Sequence, residues 1–165
     1  MDSAEFNQDS TPADCFRLEE LEAFQGFEGQ VLAEVNYYLW LNRTSEAHAP
    51  LRFLYTIELG FEGYPSLLLS SGEDTDAIRV LAAEDLIKTA RALQTLHGQV
   101  VIQRVSAGAL ALWLDVLGRP LEGVRLTKNA HGLYWNDALL LDFGYRRILV
   151  QLSAADGLEV GVYTD

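Results

Sequence analysis

The sequence predicts an α+β protein: two related antiparallel sheet units, each a helix plus four strands, with a connecting helix between them. A pattern of glycine and apolar residues occurs twice in the same order, the candidate strands alternate apolar and polar residues, and one segment between the copies has helical spacing instead.

The repeated pattern begins with Gly29-Gln30-Val31-Leu32-Ala33-Glu34-Val35 and Gly118-Arg119-Pro120-Leu121-Glu122-Gly123-Val124, which share G-x-x-L-x-x-V. Phe24 and Trp113 each lie five residues before the glycine, and Leu21 and Leu110 eight before it. Downstream, Ile57-Glu58-Leu59-Gly60-Phe61 parallels Leu139-Leu140-Leu141-Asp142-Phe143. Leu68-Leu69 then parallels Ile148-Leu149, and Asp76-Ala77-Ile78-Arg79-Val80 parallels Asp156-Gly157-Leu158-Glu159-Val160. Any half-buried strand alternates apolar and polar residues, so the shared order carries the reading rather than any one match. The organisation expected is an acidic leader over 1–10, a first unit over 11–81, a connecting helix and strand over 82–105, and a second unit over 106–165.

In the first unit, Thr11 can cap a helix, Pro12 takes the first helical position and Asp14 stands where a capping acid belongs. Gly26 is the expected stop. Strands follow over 30–41, 51–61, 66–71 and 77–81. Ile57, Leu59 and Phe61 share one face of the second strand and Glu58 and Glu62 the other, as in a sheet with one wet side. Gly60, Gly63 and Pro65 interrupt one pair of strands, and Ser71-Gly72-Glu73-Asp74 the next. The connecting helix, 83–97, places Leu86, Ile87, Ala90 and Leu93 at helical spacing with Lys88 and Arg91 outward and Gly98 as its end. A strand at 100–102 follows. Ala107 to Leu117 is apolar on all sides; periodicity leaves helix and strand open there, and the match to the first unit favours helix. The last strands are expected over 119–128, 133–143, 146–153 and 157–163, with turns at Asn129-Ala130-His131-Gly132 and Gly144-Tyr145.

The 165 residues carry 12 Lys+Arg against 24 Asp+Glu, a net charge of −12, with 49% apolar residues. That core suffices for one domain or two small ones. The charge argues against nucleic acid, whose affinity comes from neutralising phosphates. Residues 1–28 hold eight acids and one base, a net of −7, so the acidity is concentrated at the N-terminal end. Such a stretch is either a solvated face or a surface that steers a basic partner. No secretory signal pattern opens the sequence, the longest uncharged apolar stretch is Ala107 to Leu114, and Cys15 stands alone. These features point to a cytoplasmic protein without a membrane span or disulfide.

No catalytic, cofactor or metal signature is found. His48, His97 and His131 lack ligand spacing, and Cys15 lies among acids that disfavour a thiolate. Asp142 and Glu58 are expected on wet faces. Glu73-Asp74-Thr75-Asp76 resembles a fragment of a calcium loop but lacks its glycine and distal glutamate. Tyr37, Tyr38 and Trp40 alternate faces, so burying one set is expected to expose the other. Exposed aromatics beside acidic loops have the composition of a protein interface. The candidate partner-binding residues are Glu19, Glu20, Glu22, Tyr64, Glu73, Asp74, Asp76 and Trp135.

The second unit, from Gly118-Arg119-Pro120-Leu121-Glu122-Gly123-Val124 through Leu141-Asp142-Phe143-Gly144 to Asp156-Gly157-Leu158-Glu159-Val160, resembles a strand-rich pattern in small bacterial proteins, among them acidic immunity proteins of polymorphic toxin systems. The resemblance implies a cytoplasmic, non-enzymatic inhibitor that blocks a toxin domain by direct binding, and the acidity of the chain points to a basic toxin as the partner. The alternatives are a self-assembly module, or a small-ligand binder or enzyme using a cleft between the halves lined by Asp142, His131 and Trp135.

Overall fold

A computed structural model describes residues 11–42, 51–71, 76–96, 100–153 and 156–164. In chain order the elements are α1 (Leu18–Phe27), β1 (Leu32–Asn42), β2 (Leu51–Phe61), β3 (Tyr64–Ser70), β4 (Arg79–Leu81), α2 (Ala83–Leu96), β5 (Val100–Ser106), α3 (Ala111–Leu114), β6 (Gly123–Arg125), β7 (Ala138–Asp142), β8 (Arg147–Ser153) and β9 (Gly157–Tyr163). The fold is α+β, a strand-rich curled sheet with few helices. Among the described residues, all nine strands join one sheet, β4-β3-β2-β9-β8-β7-β6, with β1 on β2 and β5 outside β1.

Two backbone seams hold the sheet together. Gln30–Leu32 runs antiparallel to Gly118–Leu121: Gly29 N–H donates to Leu121 O (2.7 Å), Leu121 N–H to Gln30 O (2.9 Å), Leu32 N–H to Arg119 O (3.0 Å) and Gly118 N–H to Leu32 O (2.8 Å). Val31 and Pro120 face each other at its centre. The bonds lie on either side of that pair, so the proline costs the ladder no donor. At the second seam β2 meets β9 in parallel at Leu54 and Gly157, and Leu54 N–H donates to Asp156 O (2.9 Å). Across the molecule, Ile78 N–H donates to Asn136 O (2.8 Å).

The main core gathers α1, both meanders and the α3 segment around Trp113, Leu32, Ile57, Leu59, Leu141 and Ile148. A smaller cluster, Tyr55, Leu68 and Leu86 with Tyr38, Trp40 and Phe53 against it, lies on the opposite sheet face under α2. The central strands are therefore covered on both sides. Tyr37 packs on the main core while Tyr38 and Trp40 pack under α2, so neither set is given up to solvent. β2 changes face partway along. Opposite Tyr38 and Leu39 the register skips Tyr55, an extra residue that reverses the alternation. Phe53 and Tyr55 consequently point to the small cluster, and Ile57, Leu59 and Phe61 to the large one.

The sequence expectations hold for β2, α2, β8 and β9 to within a residue or so. Several others shift. The first helix begins at Leu18, not beside Pro12, because residues 14–16 are taken by sheet-like bonds: Phe16 N–H donates to Tyr134 O (2.8 Å) and Asn136 N–H to Asp14 O (3.1 Å). Gly26 does not stop it; Phe27 continues the helix to reach the core, and Gly29, at φ 85°, makes the turn. Ala107–Leu117 yields only the four-residue α3, with Leu110 and Leu114 exposed. Both its ends are tethered to β1, by Ala107 N–H to Val35 O (2.9 Å) and Gly118 N–H to Leu32 O (2.8 Å), which leaves little chain to coil. β6 shrinks to three residues because the seam takes the segment before it. Asp142 is buried rather than wet, with its carboxylate accepting from Arg125 Nε (3.1 Å) and Gly144 N–H (2.8 Å). Ile87, expected on the packed side of α2, is 53% exposed.

Glu20 is also turned inward, only 4% exposed. Its Oε1 accepts from Arg79 Nη1 (2.8 Å) and Arg17 N–H (2.8 Å), and its Oε2 from Val80 N–H (2.9 Å). Arg79 also donates to Cys15 O (3.1 Å) and Ala13 O (2.7 Å). One buried ion pair thus ties the N-terminal segment, α1 and β4 together. Removing one partner strands the other charge. Glu20→Ala is expected to lower unfolding free energy by about 3 kcal/mol or more, and the isosteric Glu20→Gln by less, measured by urea denaturation.

Gly29 and Gly157 separate two costs of a left-handed residue. Both have φ near +80° (85° and 80°), but a Cβ at Gly29 meets open space whereas one at Gly157 collides with the Leu54 carbonyl. Gly29→Ala is expected to cost about 1 kcal/mol, and Gly157→Ala about 3 kcal/mol or more with loss of the β2–β9 seam, read from urea midpoints and amide exchange at Leu54.

Trp113 Nε1 donates to the Tyr37 hydroxyl (2.6 Å), latching α3 to β1. Burial pushes the Tyr37 phenol up, and the Trp113 bond only partly opposes this. The native state therefore keeps the proton at a pH where an unfolded tyrosine loses it. Stability is intact below about pH 10 and falls as pH rises beyond it. Tyr37→Phe should make that alkaline loss shallower, measured by comparing urea midpoints at neutral and alkaline pH.

Candidate protein-binding face

Helix α1 is amphipathic in a simple way: Phe24 and Phe27 enter the core with Glu20, leaving Leu18, Glu19, Glu22, Gln25 and Glu28 at the surface. Tyr64, 40% exposed, lies against its last turn. The Tyr64 ring meets Phe27 edge to face at 5.0 Å, and a Cβ on Gly26 would press on the Tyr64 hydroxyl at 3.1 Å. The missing side chain at Gly26 thus makes room for Tyr64. Glu62 precedes it in the turn from β2 to β3, where Glu62 N–H donates to Val31 O (2.9 Å).

At the other end of α1, Trp135 is 38% exposed and pairs antiparallel with Cys15. The bonds of Asn136 to Asp14 and Ile78 bring the exposed Asp14 and Asp76 to the same neighbourhood. The fold therefore gathers Glu19, Glu22, Tyr64, Asp76 and Trp135 around α1, although they are scattered in sequence. Glu20 is withdrawn into its ion pair with Arg79, and Glu73 and Asp74 lie outside the described residues.

Alongside α1 runs an open groove of about 330 Å³. Leu21, Phe24, Val124, Leu126 and Tyr134 give it an apolar floor, with Gln25 and Glu28 on one rim and Arg125 on the other. Arg125 is held by Asp142, and Lys128 Nζ sits 5.6 Å from the Tyr134 ring centre. The groove was not legible in the sequence, since its second wall comes from residues about a hundred positions away. An apolar channel with Gln25 and Glu28 on one rim and Arg125 on the other has the form of a surface that can hold a peptide or loop.

Burial, reinforced by a bond and charge from Asp14, pushes the Cys15 thiol up against a weaker opposing pull from Arg79, the reverse of an activated thiolate. Among the described residues no cluster of His, Cys, Asp and Glu could hold a metal ion. His131 sits at the tip of the turn that Asn129 caps, with His131 N–H donating to Asn129 Oδ1 (2.8 Å). Asp142 is committed to arginine and Trp135 to the Cys15 segment, so the three residues expected to line a shared cleft have separate duties. No described helix is long and apolar enough to cross a membrane. Comparison with protein-family models, with curated proteins and with solved structures finds no match to this chain.

Proposed function

We propose that the protein works by binding another protein, as an immunity-type inhibitor that covers a basic toxin domain in the cytoplasm, with the α1 face as the contact surface. The groove beside α1 carries this reading. It offers apolar floor area for burial, and the α1 face around it carries the exposed acids Glu19, Glu22 and Glu28, with the partly exposed Tyr64 and Trp135 near the two ends of the helix. Exposed like charges of this kind act mainly on the rate of encounter, and buried aromatics on the rate of dissociation.

The chain is further read as a duplicated helix-plus-four-strand unit. Supporting this, the two copies of G-x-x-L-x-x-V pair with each other in reciprocal register, with Gln30 on Leu121, Leu32 on Arg119, and Val31 opposite Pro120. Both meanders also follow one strand order, β1-β2-β3-β4 and β6-β7-β8-β9. Self-assembly is the second reading, favoured by β5, which among the described residues pairs only with β1. Light scattering at high concentration decides it: a monomer removes it.

The test is to mix the protein with the toxin-like product of the neighbouring gene. A complex is expected at low salt. Reversing Glu19, Glu22 and Glu28 to lysine should slow association by about tenfold or more without altering the circular dichroism, while Trp135→Ala and Tyr64→Ala should speed dissociation. The absence of a complex at low salt, or an on-rate indifferent to the three reversals, would overturn the assignment.

A further inference from the structure

Among the described residues the sheet ends in β4, β6 and β5, and these edges are not alike. β4 and β6 have three residues each, too short to template another strand. β5 has seven residues in unbroken register with β1, contains no proline, and has no described strand on its other side. Edge strands are usually shortened, bulged or charged, because their row of unpaired N–H and C=O groups otherwise recruits another strand. The single charge in β5, Arg104, is drawn onto the sheet face instead. Its Nη2 and Nε donate to Glu58 Oε1 (2.9 and 3.2 Å), which also accepts from Asn36 Nδ2 (3.1 Å) and the Tyr38 hydroxyl (3.4 Å). That guanidinium answers to Glu58 and does not guard the edge.

The phase of the ladder follows from one bond. Ala107 N–H donates to Val35 O (2.9 Å), so these two form a hydrogen-bonded pair at the end of the β1–β5 register. Counting back in twos, Val105, Gln103 and Val101 turn their backbone groups to β1, and Ser106, Arg104, Ile102 and Val100 turn theirs away from it. Side chains alternate too. Ile102 packs under α2, so Val101, Gln103 and Val105 stand on the opposite face, across from Leu41, Leu39 and Tyr37. Val101 and Val105 are half-buried and Gln103 is exposed. Along that face the strand reads V-x-Q-x-V, the same in both directions.

We propose that β5 pairs with β5 of a second copy of this chain, antiparallel about a two-fold axis at Gln103, so that two sheets become one. The inference rests on the self-assembly reading and supplies its site and register. About this axis Ile102 takes Arg104 of the second copy and Val100 takes Ser106, so every outward-facing backbone group of both strands is used. An axis at Ile102 or at Arg104 also matches outward groups but leaves strand ends unpaired, and the latter sets two Arg104 side chains directly opposite each other. On the other face Val101 meets Val105 of the second copy, and Val105 its Val101, around two Gln103 amides that hydrogen-bond to each other. An extended segment of unrelated sequence would supply the backbone bonds without this match, so the palindrome selects the chain's own copy.

The mass of the full chain is followed by light scattering up to high concentration, with amide exchange read residue by residue. A dimer is expected, in which exchange at Ile102 and Arg104 slows as concentration rises while Gln103, already bonded to β1, changes little. Opposed Gln103 Cα atoms lie about 4.5 Å apart in this register, within reach of a disulfide, and the native Cys15 is fully buried. Gln103→Cys should therefore link two chains under mild oxidation. Val101→Cys should not link to itself but should link when mixed with Val105→Cys. Gln103→Lys, at an exposed position, should weaken the dimer by about tenfold or more with unchanged circular dichroism. A monomer removes the self-assembly reading and this inference together, and leaves the edge to an extended segment of another protein. A dimer in which Gln103→Cys stays unlinked, or one indifferent to Gln103→Lys, keeps self-assembly and overturns the β5 pairing.

Discussion

The antiparallel pairing of Gln30–Leu32 with Gly118–Leu121 is the constraint on which the rest of the molecule depends. Each segment stands at the entrance to a meander, so the bonds that join them place two apolar faces against each other. Without that seam neither face would be covered, since α1 and the short α3 are too small to bury a four-strand sheet alone. The core residues therefore belong to both halves, and Trp113 from one is latched to Tyr37 of the other. The position of Pro120 opposite Val31 is a consequence of the same geometry, because a proline is tolerated only where the ladder asks for no donor.

The Glu20–Arg79 pair secures a different joint. It fixes α1 against β4 and gathers the carbonyls of Ala13 and Cys15, so the approach to α1 is held in place by a single guanidinium. This placement gives the α1 face its character. The buried glutamate anchors the helix from beneath while Glu19 and Glu22 on the other side are exposed. The same helix thus supplies one wall of a groove through Leu21, Phe24 and Gln25.

The outer face of the sheet is organised more loosely. α2 contributes Leu86 to its small cluster and leaves Ile87 outside, so the helix covers the sheet without filling the space beneath it. A polar node of Glu58, Arg104, Tyr38 and Asn36 occupies that space. The bulge at Tyr55 is what allows one sheet to serve two such different layers, by turning Phe53 and Tyr55 to the side opposite Ile57 and Leu59.

Periodicity and turn residues by themselves determined much of the local structure. The alternation of Ile57, Leu59 and Phe61 marked β2, helical spacing at Leu86 and Ala90 marked α2, and Gly132 and Gly144 marked turns, all because these preferences are set by neighbours within a few residues. That the segments after Gly29 and Gly118 pair with each other was settled only by the tertiary structure. What the local pattern could not carry was the fate of individual polar groups. Glu20 and Glu19 are adjacent and chemically alike, yet one is buried and the other exposed, because only the packed molecule brings Arg79 to one of them. For the same reason Asp142 became an interior ion-pair partner, the helix expected at Pro12 gave way to pairing with Tyr134, and Ala107–Leu117 was held to a single helical turn by its two tethered ends. Charge and capping propensity are properties of a residue, whereas burial and partnership are settled by segments distant in the chain.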